Sequence, residues 1–305
     1  MLTLKHYELL VVLAEELHFG RAAQRLGISQ PQLTHQLKQM EEIVGTLLFN
    51  RTRRHVELTR AGNLLLPEAS AVMRHAKRAE DVALRAGHGL LGELRLGYIG
   101  TVALNGVLTQ LLTKFRTRAV KIKLNLLLMD MDQQFPEVEA GNLDAGLVRL
   151  PYPALSADLI TRTLTHENLW IALPSDHPMA LQKDVELASL GGADFIVTHL
   201  PSNTGFAAAV HKACTEAGIT PNVVYRAPQF SAIASLVEAG LGVAVVPEAI
   251  GRVRLPGVVY RPLRDTTVRA EIALVYRQDN LSPPLEVLLE CIDELDARNS
   301  AGGVN

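Results

Sequence analysis

The stretch Leu26-Gly27-Ile28-Ser29-Gln30-Pro31-Gln32 constrains the fold of this chain more than any other. Gly27 lacks a Cβ and so takes the left-handed conformation that stops a helix. Two residues on, the Ser29 hydroxyl serves as an N-cap, Gln32 completes a capping box, and Pro31 lies in the first turn, where its missing N–H costs nothing. One helix therefore ends and the next begins almost at once. The short helix before the junction is Arg21–Leu26. Earlier still, Leu4, Tyr7, Leu10, Val11 and Ala14 recur at spacings of three and four, predicting a helix over Leu4–Leu17. In the helix after the junction Leu33, Leu37, Met40 and Val44 form one stripe. At 100° per residue Pro31, His35, Lys38, Gln39 and Glu42 then point the opposite way.

A helix braced by its predecessor, with a polar outer face, can enter the major groove of DNA with its N-terminal side chains at base edges. Gln30, Gln32, Thr34 and His35 are the candidate readers: Gln can pair bidentately with adenine, and the Thr methyl can meet a thymine methyl. Residues 48–59 read as two short strands joined by a basic loop, a wing on which Arg51, Arg53 and Arg54 suit backbone or minor-groove contact. The charge distribution agrees. Residues 1–90 hold 12 Lys and Arg against 9 Asp and Glu, a balance of +3, within a chain whose net charge is −2. Four of those basic residues fall between Arg51 and Arg60. An arginine run alone would more often be a solvated turn, and it is the combination that carries the reading.

Together, Ala22-Ala23, Leu26-Gly27, Ser29-Gln30-Pro31, Leu33, Leu37, Met40-Glu41, Gly45, Leu48-Phe49, Arg51, Leu58-Thr59 and Ala61-Gly62 resemble the N-terminal winged domain of LysR-type transcriptional regulators. The resemblance implies that Ser29 to Lys38, including Ser29, Gln30, Pro31, Gln32, Thr34, His35 and Lys38, approach the major groove while the wing approaches the minor groove. His35 stands where many relatives place Arg.

From Thr59 onward Leu65, Val72, Ala79 and Ala86 recur every seven residues, interleaved with Ala69, Ala76, Ala83 and Leu90. This narrow, Ala-rich seam predicts pairing with a second copy, although it also fits packing within one chain. Pro67 is expected to kink or restart the helix. Two-fold pairing would set two reading helices on a pseudo-palindromic site. Gly87-His88-Gly89-Leu90-Leu91-Gly92 matches GxGxxG, but a helix precedes it and a strand follows, the reverse of a dinucleotide-binding context, so a hinge is the better reading.

Beyond Gly92 the pattern alternates. Strands are predicted at Leu94–Ile99, Ile122–Met129, Ala145–Val148, Leu169–Leu173, Phe195–Thr198, Val223–Arg226 and Val243–Pro247. Helices are predicted at Leu104–Phe115, Gln133–Ala140, Phe206–Ala217 and Ser231–Ala239. This is α/β with a parallel core, in two lobes. Ligands in such sheets lie beyond the carboxyl ends of the strands, so Gly100-Thr101-Val102, Met129 to Met131, Arg149 and Pro201 to Phe206 are expected to converge on one interlobe cleft. Arg149 ends a very apolar strand, where a guanidinium can clamp a carboxylate, which points to an organic-acid effector; a structural salt bridge is the competing reading.

Gly141-Asn142-Leu143-Asp144-Ala145-Gly146 and Glu238 to Pro247 resemble the effector domain of the same family, which is built like a periplasmic binding protein. The resemblance implies domains at 1–58 (winged helix-turn-helix), 59–88 (dimerisation helix) and 89–305 (effector binding), with lobe I about 93–162 and 269–298 and lobe II about 163–268. It implies that Gly100, Thr101, Val102, Met131, Arg149, Ser202, Gly205, Phe206, Gln229 and Phe230 line the effector pocket. The expected partners are double-stranded DNA, further copies of the chain as a dimer of dimers, RNA polymerase and, from Arg149, a small organic acid.

No HExxH, GxSxG or P-loop is present, and none of the ten His lies four residues from another, so neither catalysis nor a metal or cofactor is expected. A transport-associated binding protein would leave the DNA-reading head unexplained. Cys214 and Cys291 read as buried free thiols. No membrane span or secretory leader is legible, predicting a cytoplasmic protein. The sequons at Asn50 and Asn280 are then chance matches.

Overall fold

A computed structural model describes residues 1–51, 56–87, 92–280 and 282–301. It divides the chain into two compact units, residues 1–90 and 91–305.

The first unit contains α1 (Leu4–Glu16), α2 (Phe19–Arg25), α3 (Gln30–Val44), an antiparallel hairpin of β1 (Phe49–Arg51) and β2 (Val56–Leu58), and α4 (Arg60–Gly87). Gly27 has φ +66° and Gly45 φ +79°, the left-handed stops that end α2 and α3. Leu10, Leu13, Ala22, Ala23, Leu33, Leu37, Met40, Leu48 and Phe49 fill one core. Two expected stripes are shifted. Leu4 is exposed while Leu9 and Val12 are buried, because α1 is covered by α4 as well as by α2 and α3. Val44 is exposed and Glu41 buried instead, since its Oε1 accepts the N–H groups of Leu48 (2.9 Å) and Phe49 (3.3 Å), donors that the start of the hairpin leaves without strand partners.

Gly62 explains the tightness of the junction between hairpin and α4. A Cβ there would lie 2.2 Å from the Leu48 carbonyl oxygen. Thr59 clamps the same corner, its hydroxyl donating to the Leu47 carbonyl at 2.7 Å. The helix does not restart at Pro67: α4 runs through it, since proline removes only the bond to the carbonyl of residue 63. The first part of the seven-residue seam serves this chain's own core, where Leu65, Leu66 and Ala69 pack beside α1. Val72 and Ala76 are half-buried and Ala79 exposed; the side chains at 83, 86 and 90 lie outside the described residues, as do residues 88–91 of the GxGxxG match.

The second unit runs β3 (Glu93–Tyr98), α5 (Val102–Asn105), α6 (Val107–Arg118), β4 (Lys123–Leu128), α7 (Met131–Glu139), β5 (Ala145–Leu150), β6 (Leu159–Pro174), β7 (Asp194–Thr198), α8 (Gly205–Glu216), β8 (Asn222–Ala227), α9 (Phe230–Glu238), β9 (Ala244–Pro247), β10 (Val258–Pro262), β11 (Arg269–Arg277) and α10 (Pro283–Ala301). Gly106, at φ +92°, splits the expected helix over 104–115 into α5 and α6. The core is not uniformly parallel as expected. Strands β4, β3 and β5 pair in parallel, as do β7 and β8, but β11 runs antiparallel to β5 and β6, and β6 antiparallel to β9 and β10. The cause is β6, 16 residues long, which carries the chain from the first lobe to the second, and β11, which brings it back.

The first lobe packs Leu94, Leu96, Leu111 and Phe115 against Leu288 of α10 on one side of its sheet, and Phe135, Val138 and Val148 on the other. The second packs Ile171, Leu173, Phe195 and Phe206 on one side and Ile196, Ile233 and Val246 on the other. Among the described residues no helix is long and apolar enough to cross a membrane.

Candidate functional site

The Ser29 hydroxyl accepts the Gln32 backbone N–H at 3.4 Å, and the Gln32 Oε1 accepts the Ser29 backbone N–H at 2.9 Å. The capping box therefore forms as the sequence predicts. Ser29, Gln30, Pro31, Gln32, Thr34, His35 and Lys38 are all exposed, opposite the buried Leu33, Leu37 and Met40. The box uses the Gln32 carbonyl, which also accepts from the Ser29 hydroxyl at 2.9 Å, so Gln32 cannot offer adenine a bidentate amide while it caps. Thr34 donates its hydroxyl back to the Gln30 carbonyl at 3.0 Å, leaving its methyl outward. Lys38 stands 3.7 Å from Glu42, an exposed pair easily exchanged for a phosphate. Gln30 and His35 have no side-chain bond recorded among the described residues. Arg51 ends β1; its side chain, Arg53 and Arg54 lie outside the described residues.

In the second unit a cavity of about 60 Å³ lies between the lobes, lined by Gly100, Thr101, Met131, Arg149, Phe206, Gln229 and Phe230 together with Ile99, Asp130, Asp132, Thr198, His199, Leu200 and Pro228. Seven of the sequence candidates thus meet at one place, Arg149 within the last two residues of β5 and the others just beyond a strand end or at the start of a helix. Three do not line it. Val102 is fully buried in the first lobe's core. Ser202 lines a neighbouring cavity. Gly205, at φ +52°, sits beneath Met131, whose Sδ would be 3.0 Å from an added Cβ, and its N–H donates to the Pro151 carbonyl at 2.7 Å. Asp130 falls within the expected stretch Met129 to Met131, whereas Asp132, in the first turn of α7, and His199, in the loop after β7, have no motif around them and were not expected. Asp130 ties the lobes together, accepting from the Gln229 side-chain amide at 2.8 Å.

Arg149 is not free to receive a ligand as the clamp reading requires. It is 2 % exposed, and its guanidinium donates to the Glu167 carboxylate and to the Thr101 hydroxyl. Its Cζ lies 5.6 Å from the centre of the Phe206 ring. Burial pushes its pKa down, and the Glu167 charge pushes it back up. One further polar atom on each partner, Arg149 Nε and Glu167 Oε1, is buried without a hydrogen-bond partner. The competing salt-bridge reading therefore describes the geometry observed.

Two family models match the chain: one described as bacterial regulatory helix-turn-helix protein, lysR family, over residues 4–63, and one described as LysR substrate binding domain, over residues 87–297. The HTH-type transcriptional regulator AlsR of Bacillus subtilis is 30 % identical, covering 92 % of both chains. The Hca operon transcriptional activator HcaR of Escherichia coli is 31 % identical over 95 % of this chain and 97 % of its own. Among solved structures, full-length CbnR complexed with its target DNA superposes with a TM-score of 0.69 at 26 % identity, covering 96 % of this chain and 99 % of that one. A full-length OxyR variant from Pseudomonas aeruginosa gives 0.65 at 26 % identity, with 96 % and 95 % covered. AlsR and HcaR are by description a regulator and an activator of transcription. The chain belongs to the LysR family of DNA-binding transcriptional regulators, with a helix-turn-helix domain followed by an effector-binding domain.

Proposed function

We propose that α3 lies in the major groove with Gln30, Thr34 and His35 toward base edges, Ser29, Pro31, Gln32 and Lys38 toward phosphate, and Arg51, Arg53 and Arg54 of the wing at the minor groove. Two copies bind a pseudo-palindromic promoter site, assembled as a dimer of dimers through the 59–88 helix and the effector domain. The edge strands β4 and β8 support such assembly, since they expose Leu126, Leu128, Val223, Val224 and Tyr225 on unpaired borders. The functional boundaries are 1–58, 59–88 and 89–305. The effector is a small carboxylate-bearing molecule acting at the interlobe cleft, and Arg149 meets its carboxylate only by exchanging Glu167 for it. RNA polymerase is the further partner, in the cytoplasm.

The observation that carries this reading is the exposed polar face of α3, starting at a formed capping box on a buried three-helix core. The test is a gel shift with DNA from immediately upstream of the gene, repeated over a range of salt. Each phosphate contact contributes a slope of roughly −0.9 in log K against log salt. Binding that does not weaken with salt, or that is unchanged in His35→Ala and Gln30→Ala, refutes it.

A further inference from the structure

A cavity of about 290 Å³ opens where α5, α6 and the end of α10 in the first lobe meet the turn Glu248–Arg252 of the second, over residues 164–167 of β6. None of its walls belongs to the edge strands β4 and β8. Small-molecule sites occupy roughly 300–1,000 Å³, a range whose lower end this cavity reaches and the cleft cavity does not. The buried ion pair stands between the two: Arg149 lines the cleft cavity and Glu167 lines this one.

Two polar deficits lie in the wall. Glu167 is 6 % exposed; one carboxylate oxygen receives Arg149, and the other, Oε1, is buried with no donor to it. Asn105 is the converse. Its Oδ1 accepts the Val107 N–H at 2.9 Å, while its Nδ2 is buried with no acceptor.

Charge then sets the sign of the occupant. Glu167, Glu248 and Asp296 line the cavity against Arg252 alone, and Arg252 donates to the Leu104 carbonyl at 2.8 Å. Arg149 and Arg162 neutralise Glu167 and Asp296. Glu248 accepts the Asn168 side-chain amide at 2.9 Å and makes no ion pair among the described residues. The walls therefore ask for a cationic donor and for an acceptor, and Leu111, Ala249 and Ile292, all buried, offer an apolar floor.

We propose that this cavity binds a small amino alcohol carried on an apolar body. Its ammonium group donates to the Glu167 and Glu248 carboxylates, its hydroxyl accepts from Asn105 Nδ2, and its body lies on Leu111, Ala249 and Ile292. The site needs neither DNA nor an acid in the cleft.

The full chain is titrated calorimetrically near neutral pH with phenylethanolamine, with phenylethanediol, which replaces the ammonium by a hydroxyl, and with phenethylamine, which lacks the hydroxyl. The amino alcohol binds below about 1 mM, the diol about tenfold more weakly and phenethylamine about threefold more weakly. Glu248→Gln, an exposed change, weakens both amines at least about fivefold and leaves the diol unchanged. Gln110→Phe, which fills the cavity from an exposed position of α6, weakens all three at least about fivefold. Asp130→Asn, in the cleft, changes no affinity by more than about twofold. The proposal is overturned if the amino alcohol does not bind below about 1 mM, if the diol binds as tightly, or if Asp130→Asn loses binding while Glu248→Gln keeps it. Should Gln110→Phe fail to fold by circular dichroism, Glu248→Gln decides alone. A parent chain that fails to retard DNA refutes the regulator reading and leaves these titrations standing.

Discussion

Removing the carboxylate of Glu167 tests the buried pair at the centre of the effector unit. Arg149 and Glu167 are 2 % and 6 % exposed, and Arg149 has no other carboxylate partner among the described residues. Two unit charges about 4 Å apart attract by roughly 4 kcal/mol at the effective dielectric that reproduces protein data. In Glu167→Ala the guanidinium keeps its desolvation cost and loses that attraction, so destabilisation of about 3–5 kcal/mol is expected. That is a large part of the roughly 5–15 kcal/mol that holds a domain folded. The double variant Arg149→Met/Glu167→Leu removes both charges and recovers most of the loss. Trp170, the single tryptophan, lies on β6 three residues beyond Glu167, so urea titration followed by its fluorescence reports this unit in the full chain. A loss under about 1 kcal/mol for Glu167→Ala, or a double variant less stable than the single, refutes the account of the pair.

Ser29→Ala removes the N-cap of α3; it should cost about 1 kcal/mol in thermal melting and weaken DNA retardation, and an unchanged melt counts against the cap. Gly62→Ala drives a methyl into the Leu48 carbonyl and should cost about 1–3 kcal/mol or more, with equal melting temperatures as the contrary result. Burial raises the Cys214 thiol from 9.0 to about 11, so the fold favours its neutral form: that stabilisation is intact below pH 9 and is lost as pH rises through 11. Iodoacetamide at pH 8, read site by site by mass spectrometry, should therefore modify Cys214 far more slowly than a free thiol, and equal rates would contradict its burial.

The DNA-reading head was legible because its signals are local. A glycine stop, a capping box and a proline in the first turn each act within one turn of helix, and all three stand where the sequence puts them. The miss inside this head is Glu41. Its spacing places it beside Met40 on the α3 stripe, but a glutamate reads as surface until the hairpin that it caps is known. The phase error in α1 has a similar origin, since periodicity reports a buried stripe and not how many neighbours share it.

The effector half was legible as α/β because most of its strands are apolar runs between turn signals, and the cleft followed from where those strands end. The first half of β6, Leu-Ile-Thr-Arg-Thr-Leu-Thr-His-Glu, offers no such run and was invisible. With it went the partner of Arg149. Arg149 pairs with Ile272 of β11, and Glu167 with Ala270 of the same strand, two positions apart and so on the same face of the sheet. Only a sheet with β11 inserted between β5 and β6 brings these charges together, and nothing local in residues 149 or 167 encodes that insertion. The antiparallel return strand therefore decides the chemistry: in an all-parallel sheet Arg149 would end its strand free and cationic, and here it ends its strand neutralised. A ligand acid that approaches Arg149 must therefore displace Glu167.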